Sequence, residues 1–84
     1  MTVRTVRYTA EAAKALKRHA NVARRIRDKI RQYADDPAAQ ANNVAALADS
    51  PYKRLRVGDF RVIFEERDDE IIVIKIGPRG SVYE

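Results

Sequence analysis

The chain has 84 residues, enough for one small domain with a modest core. It holds no cysteine and one histidine, His19, which excludes disulfide frameworks, thiolate metal centres, a cysteine nucleophile and chemistry built on a histidine pair. The net charge of +5 suits an anionic partner, a nucleic acid or an acidic protein segment, and suits a solvated surface equally well.

In chain order, Val3 to Tyr8 alternates and is β-rich, which predicts a first strand. Thr9 is placed to cap a short helix running to about Ala20, with Glu11 in its first turn and an apolar stripe of Ala12, Ala13, Leu16 and Ala20. Asn21 is placed to cap a second helix with Val22, Ile26, Ile30, Tyr33 and Ala34 on one face. Asp36-Pro37 ends it, because a residue before proline avoids the helical region. Residues 38–51, AAQANNVAALADSP, read as a connection with one short helical turn at Val44 to Leu47. Three strands follow: Tyr52–Val57, Phe60–Glu66 and Glu70–Gly77, with Gly58-Asp59 in the first turn and Asp68-Asp69 in the second.

The expected fold is therefore an α+β domain over residues 1–84, ordered β-α-α-β-β-β, with a mostly antiparallel sheet and a helical hairpin on one face. Alternation sends Leu55 and Val57 one way and Arg54 and Arg56 the other. Phe60, Val62 and Phe64 share a face opposed to Arg61. The last strand is apolar on both faces, Ile71 and Val73 against Ile72, Ile74 and Ile76, as an interior strand would be. Cationic side chains of neighbouring strands should gather on the face the helices leave open. No apolar run approaches the roughly 20 residues of a membrane span, and MTVRTVRY lacks the apolar stretch of a secretory signal, so a soluble cytoplasmic protein without a membrane partner is expected.

Charge is sorted along the chain. Residues 1–36 carry ten Lys and Arg against four Asp and Glu, whereas residues 51–84 carry seven of each. The basic helices could meet RNA or an acidic protein segment, or simply face solvent. The acidic group from Glu65 to Glu70 sits at a turn without ligand spacing and reads as solvation at a strand end, so no metal site is expected. His19, at a helix end, reads as a charge–dipole contact.

Arg54, Arg56, Arg61, Arg79 and Tyr83 form the one set with chemical potential. Metal-free RNA cleavage needs a base for the 2′-OH, positive groups for the phosphorane and a proton for the leaving oxygen. Arginine serves the second task, since its planar fork matches phosphate oxygens. A tyrosine among arginines could act as the base, or stack on a nucleobase. The same arginines could equally cover apolar surface or pair with carboxylates, and the tyrosine could anchor the tail.

The stretch YKRLRVGDFRVIFE followed by IVIKIGPRGSVYE resembles the RelE/ParE superfamily of bacterial and archaeal toxins, and within it the RelE branch. The resemblance spans the whole chain and is carried by RLRVGDFRV together with the G-x-R-x-x-x-Y ending. It implies the toxin of a type II toxin–antitoxin pair: a ribosome-dependent endoribonuclease that needs no metal or cofactor and cleaves mRNA by 2′-OH attack. The implied partners are a cognate antitoxin, mRNA and the ribosome, with operator DNA reached only through the antitoxin complex. Position by position, the resemblance implies that Arg61 holds the scissile phosphate and that Arg79 stabilises the transition state or leaving group. It implies Tyr83 as base or stacking group and Arg54 as a basic catalytic residue, with Lys53, Arg56 and Tyr52 contacting RNA. Tyr52 stands where the best-known members have a second lysine. Two other activities are open on this fold: a ParE-like gyrase poison, which the Arg79-to-Tyr83 ending argues against, and a weak toxin acting mainly in a repressor complex, which the missing lysine favours.

Overall fold

Thr9 organises the junction between the first strand and the first helix. Its Oγ1 accepts the Ala12 N–H at 3.2 Å and donates to the Ile74 carbonyl at 3.0 Å, while its own N–H reaches the Val73 carbonyl at 3.0 Å. The helix start is thus capped and tied to the sheet by one residue. The computed structural model describes residues 4–47 and 49–79. In order they form β1 (Thr5–Tyr8), α1 (Ala10–Arg18), α2 (Ala20–Asp35), a 3₁₀ helix (Pro37–Asn43), β2 (Val44–Ala46), β3 (Tyr52–Val57), β4 (Phe60–Glu66) and β5 (Glu70–Pro78).

The sheet order is β1-β5-β4-β3-β2, with β1 parallel to β5 and every other pair antiparallel. The expected α+β architecture is present, with one strand more than the sequence suggested. Val44 to Ala46 were expected to form a helical turn. They form an edge strand instead, Val44 pairing with Leu55 and Ala46 with Lys53. The helical segment lies just before, where Pro37 opens a 3₁₀ helix that is pinned to α2 through Gln40 and Gln32. An open ladder on β3 offers Val44 to Ala46 backbone partners that an isolated helical turn lacks.

The corner between the helices also differs from expectation. Asn21 does not cap α2. The chain turns through His19, which makes no side-chain cap hydrogen bond and packs its ring edge-on against Phe60 at 4.9 Å. Aromatic packing takes the place of the α2 cap, while His19 stands at the C-terminal end of α1, where the sequence placed it.

β5 lies between β1 and β4, interior as its apolar faces predicted. Strict alternation fails along it. Ile63 pairs with Lys75 but Phe64 pairs with Val73, so Ile74 is an extra residue, and Thr9 satisfies its carbonyl. This bulge turns Ile76 to the helix side with Ile71 and Val73, rather than to the open side with Ile72 and Ile74. Ile26, Leu55, Val62, Phe64, Ile71 and Val73 are fully enclosed between the helices and the sheet. Tyr33 packs tilted on Phe64 at 5.2 Å. No helix of the described residues is long and apolar enough to cross a membrane.

Candidate functional site

Leu55 and Val57 must face the helices to be buried, so alternation turns Arg54 and Arg56 to the open face of β3. Across the hairpin, Val62 and Phe64 do the same for β4 and turn Arg61 outward. Register then places Arg56 directly opposite Arg61. On its other side Arg61 pairs with Gly77, which presents no side chain. Beyond the end of β5, the Arg79 N–H bonds the Asp59 carbonyl at 2.7 Å, which holds this arginine against the β3–β4 turn.

The result is a single concavity of about 370 Å³ lined by Arg54, Arg56, Arg61 and Arg79. Its far wall comes from Asn42, Asn43, Val44 and Ala45, where the 3₁₀ helix passes into β2. All four arginines singled out from the sequence meet there. Like charges directly opposite on adjacent strands repel, so the Arg56–Arg61 pair is unfavourable without an anion between or above them.

Arg61 carries the strongest signal. It is only 7 % exposed, yet it has no carboxylate partner among the described residues. Its Nη1 donates to the carbonyls of Phe60 at 3.1 Å and Gly58 at 3.4 Å. Buried cations are normally paired, because desolvation without a counter-charge is costly. Carbonyl dipoles orient this guanidinium but leave its charge available to a ligand. The hairpin turn that supplies one of them needs Gly58, whose φ is +57°.

Other predicted site residues lie elsewhere. Lys53, expected to contact RNA, alternates to the helix side and binds Glu66 at 2.6 Å. Arg4 meets the same carboxylate at 3.0 Å, and the Tyr33 hydroxyl donates to it at 2.6 Å. Burial works against the Glu66 charge, but the bonds from Lys53 and Tyr33 and the charges of Lys53 and Arg4 outweigh it and hold its pKa below the ordinary value of 4.5. Burial, then the bond to Glu66 and its charge, push the Tyr33 phenol above its ordinary value against the opposing Arg4. Tyr52 stands two residues before Arg54 on the cleft side, outside the cleft lining. Tyr83 lies outside the described residues. The three glutamates of the acidic group form ion pairs: Glu65 with Arg67, Glu66 with Lys53 and Arg4, and Glu70 with Arg7.

Asn42 and Asn43 are cleft residues that the sequence did not reveal. In AAQANN no charge or periodicity marks them. They reach the cleft only because β2 joins the sheet beside β3.

Chemically the cleft can bind phosphate and stabilise added negative charge on it. Its described side chains are arginine, asparagine and small apolar groups, and none of these types serves as a general base.

Comparison with known proteins adds three findings. A model of the family described as "ParE toxin of type II toxin-antitoxin system, parDE" matches residues 6–83. Among solved structures, the RelE of a RelE–RelB complex from Pyrococcus horikoshii is similar, with a TM-score of 0.74 and 25 % identity over 96 % of this chain and 100 % of that one. The RelB–RelE antitoxin–toxin complex of Methanococcus jannaschii gives a TM-score of 0.67 and 24 % identity over 92 % and 94 %. YafQ of E. coli gives 0.71 and 14 % over 96 % and 99 %, a likeness of fold alone. No curated protein matches the sequence.

Proposed function

The chain belongs to the ParE-toxin family of type II toxin–antitoxin systems, within the RelE/ParE superfamily, and from that premise we propose that it acts as an endoribonuclease on translated mRNA. The observation that carries this reading is the meeting of Arg54, Arg56, Arg61 and Arg79 in one cleft, with Arg61 buried and facing no carboxylate of the described residues. A gyrase-directed toxin needs no RNA-cleaving set.

In this reading a base removes the proton of a ribose 2′-OH. The 2′-oxygen bonds to the adjacent phosphorus, the bond from phosphorus to the 5′-oxygen breaks, and that oxygen takes up a proton. The products are a 2′,3′-cyclic phosphate and a free 5′-hydroxyl. Arg61, oriented by the turn carbonyls, holds the scissile phosphate. Arg79 neutralises the charge that builds on the phosphorane. Arg54 and Arg56 bind the same or a neighbouring phosphate. The base is Tyr83 or a group brought by the ribosome, because the described cleft side chains supply none. A base brought by the ribosome would make cleavage ribosome-dependent. The partner that silences the toxin is a cognate antitoxin, as RelB is for the archaeal RelE proteins it resembles.

The test is induction of the chain followed by mapping of mRNA 5′ ends. Codon-phased cuts in translated messages are expected, and R61A or R79A should lower cleavage about 100-fold or more. The family description favours a second reading, gyrase inhibition. Intact mRNA together with a DNA-damage response would establish it in place of the first.

A further inference from the structure

Every charged side chain in the described lining of the cleft is a hydrogen-bond donor. Arginine offers five N–H groups and no acceptor, and Val44 and Ala45 offer no polar side-chain atom. That suits phosphate, which accepts. A nucleotide also donates, through its ribose hydroxyl and its base amino groups, and within the described lining only Asn42 and Asn43 have side chains able to receive those bonds.

Of the two, Asn43 is held in place. Its Nδ2 donates to Gln40 Oε1 at 3.1 Å, and Gln40 Nε2 donates to Gln32 Oε1 at 2.9 Å. Gln40 is 7 % exposed and Gln32 stands on α2, so the relay is anchored in the body of the fold. Each amide directs its nitrogen inward along this chain. The direction leaves Asn43 Oδ1 as the acceptor not engaged by any described residue. Asn42 has no comparable anchor among the described residues.

We infer that Asn43 is the specificity residue of this cleft: its Oδ1 accepts a hydrogen bond from a nucleotide donor, a ribose hydroxyl or a base amino group, beside the phosphate held by the arginines. This rests on the RNA-directed reading above. Gln40 is a positioning residue that fixes which face of the Asn43 amide meets the ligand. Because the relay exists before binding, little side-chain freedom is lost when the ligand arrives. The acceptor gives an otherwise phosphate-reading site a means of telling RNA from DNA, or one base class from another.

Fluorescence anisotropy of the full chain with four short single strands, three of them of one sequence, tests the inference. The strands are ribose, deoxyribose, 2′-O-methyl ribose, and ribose with only inosine and uridine as bases. The wild type should bind the ribose strand about three- to tenfold tighter than strands lacking the recognised donor. N43A should erase that margin by weakening only the strands that carry the donor. A margin lost on 2′-O-methylation identifies the ribose hydroxyl, and one lost with inosine and uridine identifies the base amino groups. Q40M, which keeps Asn43 but cuts its anchor, should reduce the margin while a thermal melt confirms folding. Equal binding of all four strands by the wild type would overturn the inference, as would an N43A variant that weakens all four alike or none. Loss of thermal stability in N43A with an unchanged margin assigns the relay a purely structural part and overturns it too. In vivo cleavage mapping reads the RNA-cleaving proposal separately: phased cuts with no margin sink the Asn43 inference alone, and a margin without cuts sinks the cleavage reading alone.

Discussion

At the scale of single residues, Arg61 sets the proposed phosphate site against stability. A buried guanidinium held by two carbonyls and by no carboxylate of the described residues is a poor choice for folding. A buried charge without a counter-charge carries a desolvation cost that an apolar side chain of similar size is spared. R61M is therefore expected to fold at least as stably as the wild type, by about 1 kcal/mol in urea denaturation, while losing cleavage. A variant both inactive and markedly less stable would mean that Arg61 serves the fold. Gly58 tells the complementary story. Its positive φ is strained for any L side chain, and a Cβ there would stand 3.3 Å from an Arg25 guanidinium nitrogen. G58A should cost about 1–2 kcal/mol by the same measurement, with the backbone contributing more than the movable arginine tip.

At the scale of elements, one carboxylate ties four segments together. Glu66 of β4 receives Lys53 of β3, Tyr33 of α2 and Arg4 at the entry to β1. Its folded pKa lies below the ordinary 4.5, so its contribution is present above that value and is lost as the pH falls through the lower folded value. Acid unfolding curves should show this loss, and E66Q should flatten it while costing about 1–3 kcal/mol at neutral pH. Tyr33 carries the opposite sign. Its folded pKa is raised, so its contribution is present below the ordinary 10.0 and declines as the pH rises above that value. Y33F should remove the alkaline decline, which circular dichroism melts between neutral pH and the alkaline range would show.

For the whole molecule, charge is divided between two faces. Residues 10–35 carry eight cations and three anions, a balance of +5, and the remaining residues carry nine of each, so the helical hairpin holds the entire net charge. The arginine cleft sits on the opposite face of the sheet, in a neutral part of the chain where acids and bases are sorted in space. A chain of this size has a small stability margin, and a partner that binds only the folded state raises it by mass action. Cognate antitoxin at about 100 times its Kd should stabilise the toxin by about 2.7 kcal/mol. Thermal melts would register this as a rise of roughly 10–20 °C in Tm.

The sequence by itself determined the helical hairpin, the three long strands, the face each strand side chain takes up to the bulge, and the identity of the four cleft arginines. These follow from local rules: a capping threonine, a proline stop, a turn glycine, and alternation enforced by burial. Tertiary structure alone decided the rest. Val44 to Ala46 became a strand because β3 offered an open ladder, and that pairing brought Asn42 and Asn43 to the cleft. Ile76 changed faces because one extra residue in β5 resets the alternation behind it. Lys53, read from the sequence as an RNA contact, pairs with Glu66, thirteen residues away in sequence and adjacent only after the hairpin closes. Pairing between strands is non-local, and no pattern within a single stretch of chain records which partner a backbone edge or a charge will find.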